Sequence, residues 1–132
     1  MIELVSRERC IGCDVCVRVC PRDVFDAGPA PGRIPVIARQ EDCQTCFLCE
    51  AWCPADALFV APQVDPVPAG SPWRDEAALE RDGLLGSYRR ELGWGKGRTP
   101  GAARDASHVV LPLVHAGPAP APIPGAGVPG DR

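Results

Sequence analysis

The chain opens with short apolar runs broken by turn-forming residues. Ile2-Glu3-Leu4-Val5 alternates as a short strand does, and the stretch from Asp14 to Cys20 reads as a helix of about two turns. Val24-Phe25-Asp26 forms a second strand, followed by the turn Gly28-Pro29-Ala30-Pro31-Gly32. Ile34 to Ala38 returns as a strand, Phe47 to Cys53 gives a second helix, and Leu58-Phe59-Val60 a last strand. The order is strand, helix, strand, twice over. Pro21 and Pro54 end the two helices, because proline lacks an N–H and disfavours helix in the residue before it.

Beyond residue 61 the pattern loosens. APQVDPVPAGSP over 61–72 is an extended exit, polyproline-like in places. Ser71-Pro72 has the form of a helix cap with proline at the first position, and a helix is expected near 72–92. Its acids lie early and Arg89-Arg90 late, in keeping with the helix dipole. Trp73, Ala77, Leu84, Leu85, Tyr88 and Leu92 keep a rough helical rhythm, which Gly83 and Gly86 threaten to split. A short strand near 108–114, interrupted by Pro112 and flanked by the surface histidines His108 and His115, precedes a low-complexity end. A gapped helix and one strand make no second core, so the apolar residues here are expected to be buried by another protein.

Composition divides the chain the same way. All eight cysteines fall between Cys10 and Cys53, while proline and glycine take 22 of the last 72 residues. The expected units are 1–61, a cysteine module, and 62–132, a Pro/Gly-rich extension. Net charge is −3 and the pI about 5.3, with no basic stripe to attract phosphates, which argues against nucleic acid as partner. There is no run of about 18 apolar residues to span a membrane and no basic-then-apolar start of a secretory signal, so the expected location is cytoplasmic.

A shift of 33 residues lays CIGCDVCVRVCPRDVF (10–25) on CQTCFLCEAWCPADAL (43–58), with every cysteine and the following proline in coincidence. Each half reads C-x2-C-x2-C-x3-C-P, the run of bacterial two-cluster iron–sulfur proteins in which the fourth cysteine serves the other cluster. Three cysteines spaced by two can aim at one cubane, and the fourth, a helical turn on, faces away. The assignment is therefore one [4Fe–4S] cluster on Cys10, Cys13, Cys16 and Cys53, and another on Cys43, Cys46, Cys49 and Cys20. Gly12 lets the backbone turn closely around the first cluster, and Thr45 stands at the equivalent place. Zinc modules pair C-x2-C with a distant second pair instead, and cysteines two apart are poorly placed for disulfides with each other.

Residues 1–61 resemble the bacterial-type 2[4Fe–4S] ferredoxin domain. The resemblance implies an α+β fold, a pseudo-twofold (βαβ)2 iron–sulfur module, here followed by a long, mostly irregular C-terminal arm. With every iron held by cysteine, no position remains to activate a substrate, so the chain has no catalytic site of its own and its chemistry is one-electron transfer. The layout is similar to iron–sulfur subunits that partner flavoproteins of the fumarate reductase and adenylylsulfate reductase type. That implies a larger catalytic subunit carrying FAD, embraced by the arm, with a soluble electron donor or acceptor. A freestanding ferredoxin serving several enzymes, and a structural iron–sulfur subunit, are the alternatives. Trp73, Tyr88 and Trp94 are the arm's candidate partner contacts, being amphipathic aromatics of the kind enriched at binding hot spots. Trp52, beside Cys53, either packs on the cluster or forms an aromatic surface toward a partner. Ile11, Val15, Val17, Val19, Phe47 and Leu48 are expected to shield the clusters, and Arg18 and Arg22 to be solvated.

Overall fold

A computed structural model describes residues 1–104. The expected strand near 108–114, and His108 and His115 with it, lie outside the described residues. The chain runs β1 (Ile2–Val5), α1 (Val15–Val19), β2 (Phe25–Asp26), β3 (Val36–Ile37), α2 (Leu48–Trp52), β4 (Leu58–Val60), α3 (Glu76–Arg81) and α4 (Ser87–Glu91). Single 3-10 turns lie at Gln40–Asp42, Pro72–Arg74 and Gly101–Arg104. The first six elements follow the order read from the pattern, in shorter form. No helix among the described residues is long and apolar enough to cross a membrane.

β1 pairs antiparallel with β4, and β2 antiparallel with β3, giving two two-stranded sheets. The β1–β4 register is Ile2↔Val60, Leu4↔Phe59 and Val5↔Leu58, with a bulge between Ile2 and Leu4. The bulge decides which residue faces which way, because an extra residue resets the alternation of a strand. Ile2 and Val5 pack with Leu58, Val60, Phe25 and buried cysteines on one face. Leu4 packs with Phe59 on the other.

That second face is covered by the extension. Val67, Leu79 and Leu85 are buried against Phe59 and Ala61, with Trp73 and Leu84 at the edge. The expectation that these apolar residues need another protein is corrected: over 62–104 the chain folds back on its own module. The helix expected near 72–92 is divided, and the division falls at the two glycines that threatened it, Gly83 and Gly86. Pro72–Arg74 forms a 3-10 turn on which the Ser71 hydroxyl accepts from the Trp73 N–H at 3.2 Å. Asp75 is extended, and its carboxylate caps α3 by accepting from Ala77 N–H at 3.0 Å. Gly83 and Gly86 then adopt φ of 66° and 64°, ending α3 and starting α4. A Cβ on Gly86 would sit 2.4 Å from that of Asp56, so only glycine allows this approach. The break places Leu85 in the core.

Two buried carboxylates fasten the extension. Glu3 accepts from Val67 N–H (3.0 Å), Gln40 Nε2 (3.0 Å) and Arg74 Nε (3.0 Å). Glu50 accepts from Val60 N–H (2.9 Å), Tyr88 N–H (2.7 Å) and Ser87 Oγ (3.3 Å), joining α2, β4 and the start of α4. A buried carboxylate is tolerated only where donors surround it, and both are so surrounded.

Candidate metal centre

Both cysteine-bearing helices begin in the same unusual way. Asp14 before α1 has φ 52° and Phe47 before α2 has φ 61°, both left-handed. Gly12 and Thr45 are left-handed as well, at 64° and 53°, as are Asp23 and Asp56, at 53° and 49°. Each pair is separated by the 33 residues of the sequence repeat, so the repeat is written into the backbone. The left-handed residues wind the loop so that successive cysteines turn the same way. Cys16 and Cys49 sit in the first helical turn, and Cys20 and Cys53 follow the last, in extended conformation before their prolines. Gly12 is needed for a further reason: a Cβ there would lie 2.3 Å from the Gly32 carbonyl carbon. Thr45 meets no such wall, and its hydroxyl donates to the Gln63 carbonyl at 2.8 Å.

The winding groups the cysteines four and four. One cavity is lined by Cys10, Cys13, Cys16 and Cys53. Its counterpart is lined by Cys20, Cys43, Cys46 and Cys49. The remaining lining is chiefly apolar, with Ile11, Val15 and Leu58 at the first and Ile2, Val24, Phe47 and Val60 at the second. All eight cysteines are free thiols, which sets disulfides aside. Among the described residues no three His, Cys, Asp or Glu side chains close around a single ion, as a mononuclear zinc site requires. Four thiols spread around a pocket are instead the donor set of a multi-iron cluster, and the residues present fit one in each cavity.

The protein supplies polar support at each. Gly12 N–H points at Cys10 Sγ (3.5 Å) and Ala57 N–H at Cys53 Sγ (3.3 Å). Ile2 N–H points at Cys43 Sγ (3.4 Å) and Val24 N–H at Cys20 Sγ (3.5 Å). Such bonds favour charge on sulfur. Burial works against them: it pushes the Cys16 thiol up to about 12, Cys49 well above the ordinary thiol range, and Cys53 upward. These thiols are neutral without metal, and iron binding must release their protons. Burial likewise raises the Glu50 carboxyl, against the opposing hydrogen bonds from Tyr88, Val60 and Ser87.

The aromatic candidates fall into place differently from one another. Trp73 packs edge-on to Phe59 at 5.7 Å between centroids and lies in the seam between extension and module. Tyr88 packs on Phe47 at 4.7 Å, and Trp94 meets Trp52 edge-on at 5.3 Å. Trp52, Tyr88 and Trp94 keep exposed surface, as does Leu48 on the same helix as Trp52. Leu48 and Trp52 are one turn apart on α2, with Trp94 set against Trp52 and Tyr88 against Phe47, the residue before α2. Leu48 therefore looks outward and is not the cluster shield the pattern implied, Trp52 keeps its outer side exposed, and Ile11, though largely exposed, also lines the first cavity. Val17, by contrast, packs against the cysteine-lined core. Arg18 and Arg22 are largely exposed.

Glu3, Glu50 and Asp56 were not evident as functional residues in the sequence. Asp56 pairs with Arg89 at 3.6 Å and with Arg98, and Arg89 also donates to the Ala51 carbonyl at 2.6 Å. One signal was present: Glu50 stands where the first repeat has Val17, an acid in an apolar position.

Comparison with known proteins adds an independent finding. The family model of the 4Fe-4S dicluster domain matches residues 9–57. No curated protein and no solved structure matches the chain. With two cavities of four cysteines each drawn from the matched segment, residues 9–57 are a ferredoxin-type 4Fe–4S domain, which supports an iron–sulfur electron-transfer role.

Proposed function

We propose that this chain is an electron-transfer subunit that relays single electrons to or from a flavoprotein catalytic partner carrying FAD. In this reading Cys10, Cys13, Cys16 and Cys53 hold one [4Fe–4S] cluster, and Cys43, Cys46, Cys49 and Cys20 the other. The observation that carries it is the pair of four-cysteine cavities, which share α1 and α2 so that each helix contributes to both. When bound, the clusters supply one-electron redox chemistry and nothing else, since cysteine fills every protein-facing position. The chain's own groups hold the sulfurs, exclude water with apolar lining, and place N–H donors on four of the eight thiolates. A flavin is the suitable neighbour because it exchanges electrons singly with clusters and in pairs with substrate.

The exposed face of Leu48, Trp52, Tyr88 and Trp94 is the proposed contact with that partner, with the extension supplying half of it. Aromatics of this kind anchor interfaces at low entropic cost. Trp73, packed in the seam, is left out of the contact. A second reading, a freestanding carrier serving several redox enzymes, is favoured by the way residues 62–104 close on their own module.

Anaerobic purification from the native cell distinguishes the two. A subunit co-elutes with a flavin-containing chain in fixed ratio, while a carrier elutes as a monomer. With the partner in hand, replacing both Trp52 and Trp94 by alanine should slow electron transfer about tenfold or more at unchanged iron content. An unchanged rate overturns the assigned face.

A further inference from the structure

Residues 62–104 cover most of the outer face of the β1–β4 sheet, but not all of it. Among the described residues a groove remains in the seam, lined by Phe47, Phe59, Pro62, Trp73, Leu84 and Tyr88. Phe47, Trp73 and Leu84 are only partly buried, and Pro62 and Tyr88 are exposed. The polar residues of the groove are already engaged. The Ser87 hydroxyl donates to Glu50 at 3.3 Å, and the Glu91 carboxylate pairs with Arg104 at 3.3 Å. Backbone pairing is closed as well: the Leu58 carbonyl of β4 accepts from Gly86 N–H at 2.9 Å, and Val60 N–H donates to Glu50 at 2.9 Å. An occupant therefore enters with apolar side chains and not as an added strand.

Glu91 also marks where such side chains are at hand. Its ion-pair partner Arg104 is the last described residue, and the turn Gly101–Arg104 lies against α4. The chain thus leaves the described part beside the groove. Of the seven large aliphatic residues in 105–132, five fall in the run Val109-Val110-Leu111-Pro112-Leu113-Val114, and only Ile123 and Val128 lie outside it. Four residues separate this run from Arg104. Extended chain covers about 3.3–3.6 Å per residue, so Val109 reaches roughly 16–18 Å from the Arg104 backbone. Pro112 suits a segment held by side chains, since proline has no N–H to give to a strand ladder.

We infer that residues 109–114 of the same chain fill this groove and complete the cover that Trp73, Leu79 and Leu85 begin. The placement has a consequence for the metal centre. Phe47 and Val60 line both the groove and the cavity of Cys20, Cys43, Cys46 and Cys49, so they form a wall common to the two. Filling the groove holds that wall and keeps water from the cavity behind it. The cavity of Cys10, Cys13, Cys16 and Cys53 shares no lining residue with the groove. Of the exposed face assigned to a partner only Tyr88 is shared, while Leu48, Trp52 and Trp94 stay clear of the groove. The shielding rests on the two-cluster reading; the docking does not.

Two measurements on the anaerobically loaded full-length protein test this. Leu113→p-benzoylphenylalanine sets a photo-crosslinker within the run, and on illumination it should link to peptides carrying Phe47, Trp73 or Tyr88 of the same chain. A link between heavy and light chains in an isotope-mixed sample gives the groove to a second copy and overturns the inference. So does a link made only elsewhere, or none. Separately, Leu111→Asp should speed amide exchange at Trp73, Leu84 and Tyr88 by roughly tenfold or more, because the burial of a leucine side chain is lost. Ile123→Asp, outside the run, should leave those amides unchanged. Unchanged exchange in Leu111→Asp overturns the docking. In air, Leu111→Asp should bleach in two phases, the first faster than in wild type, as the second cavity opens to water. Faster exchange with a single unaltered bleaching phase overturns the shielding alone. A chain that takes up no iron overturns the iron–sulfur reading, and the crosslink still decides the docking.

Discussion

On the inner face of the β1–β4 sheet, Ile2, Leu58 and Val60 look toward Cys16, Cys49 and Cys53; on the outer face, Leu4 and Phe59 look toward Leu79, Leu85 and Trp73. The same three-residue strand, β4, serves both, and all of it is buried. The outer face is closed in the ordinary way, by aliphatic and aromatic side chains filling space against one another. The inner face is not. Its elements are helices of five residues and strands of two to four, and its packing leaves two cysteine-lined cavities. A domain this small gains little from apolar burial alone. The contrast teaches that one face is completed by chain and the other by metal.

The largest test of this contrast is removal of iron. Chelation under reducing conditions should abolish the fold of the cysteine module, since a structural metal's binding energy is folding energy. Far-ultraviolet circular dichroism and amide exchange check it; an iron-free chain with protected Cys16 and Cys49 amides would break the comparison. Next in size is the outer face. Leu79, wholly buried, should cost about 2–5 kcal/mol as alanine while the iron content of the folded protein stays at wild-type level. Thermal melts and iron assay read the two quantities separately. If Leu79→Ala loses iron in proportion to stability, the faces are one cooperative unit.

A smaller effect is expected at the anchor. Glu3→Ala leaves the Val67 N–H and the Arg74 guanidinium without their acceptor and should cost about 1–3 kcal/mol, read by urea unfolding. Extension amides should lose protection before those of the module. The smallest effect concerns acid. Burial alone would raise the Glu76 carboxyl, but donation from the Ser6 hydroxyl and the Glu8 and Arg7 N–H groups, with the Arg7 charge, holds it below the usual range. A depressed carboxylate contributes stability that is present above its unfolded value and lost as pH falls through its folded one. Glu76→Gln should therefore melt lower than wild type at neutral pH, with the difference closing below the usual carboxylate range. A gap that does not close there removes Glu76 as a contributor.

Much of the inner face was legible in the sequence because its constraints are local. The spacing of Cys10, Cys13 and Cys16, and the proline after Cys20, act within a dozen residues, and the order of the first six elements follows from them. The outer face was read poorly for the opposite reason. Trp73, Leu79 and Leu85 are apolar in any account, but whether they meet Phe59 or another protein depends on how Gly83 and Gly86 turn the chain. Leu58-Phe59-Val60 carried a hint, since three consecutive apolar residues in one short strand require cover on both sides.

The sequence by itself determined the eight thiols, their repeat and the chemistry they can hold, because metal-ligand spacing is a short-range property of the chain. Only the tertiary structure decided that Glu3 and Glu50 clamp the extension and that Arg89 and Arg98 converge on Asp56. Those pairings join residues 33 to 71 positions apart, and contacts at that range are set by packing rather than by any local pattern.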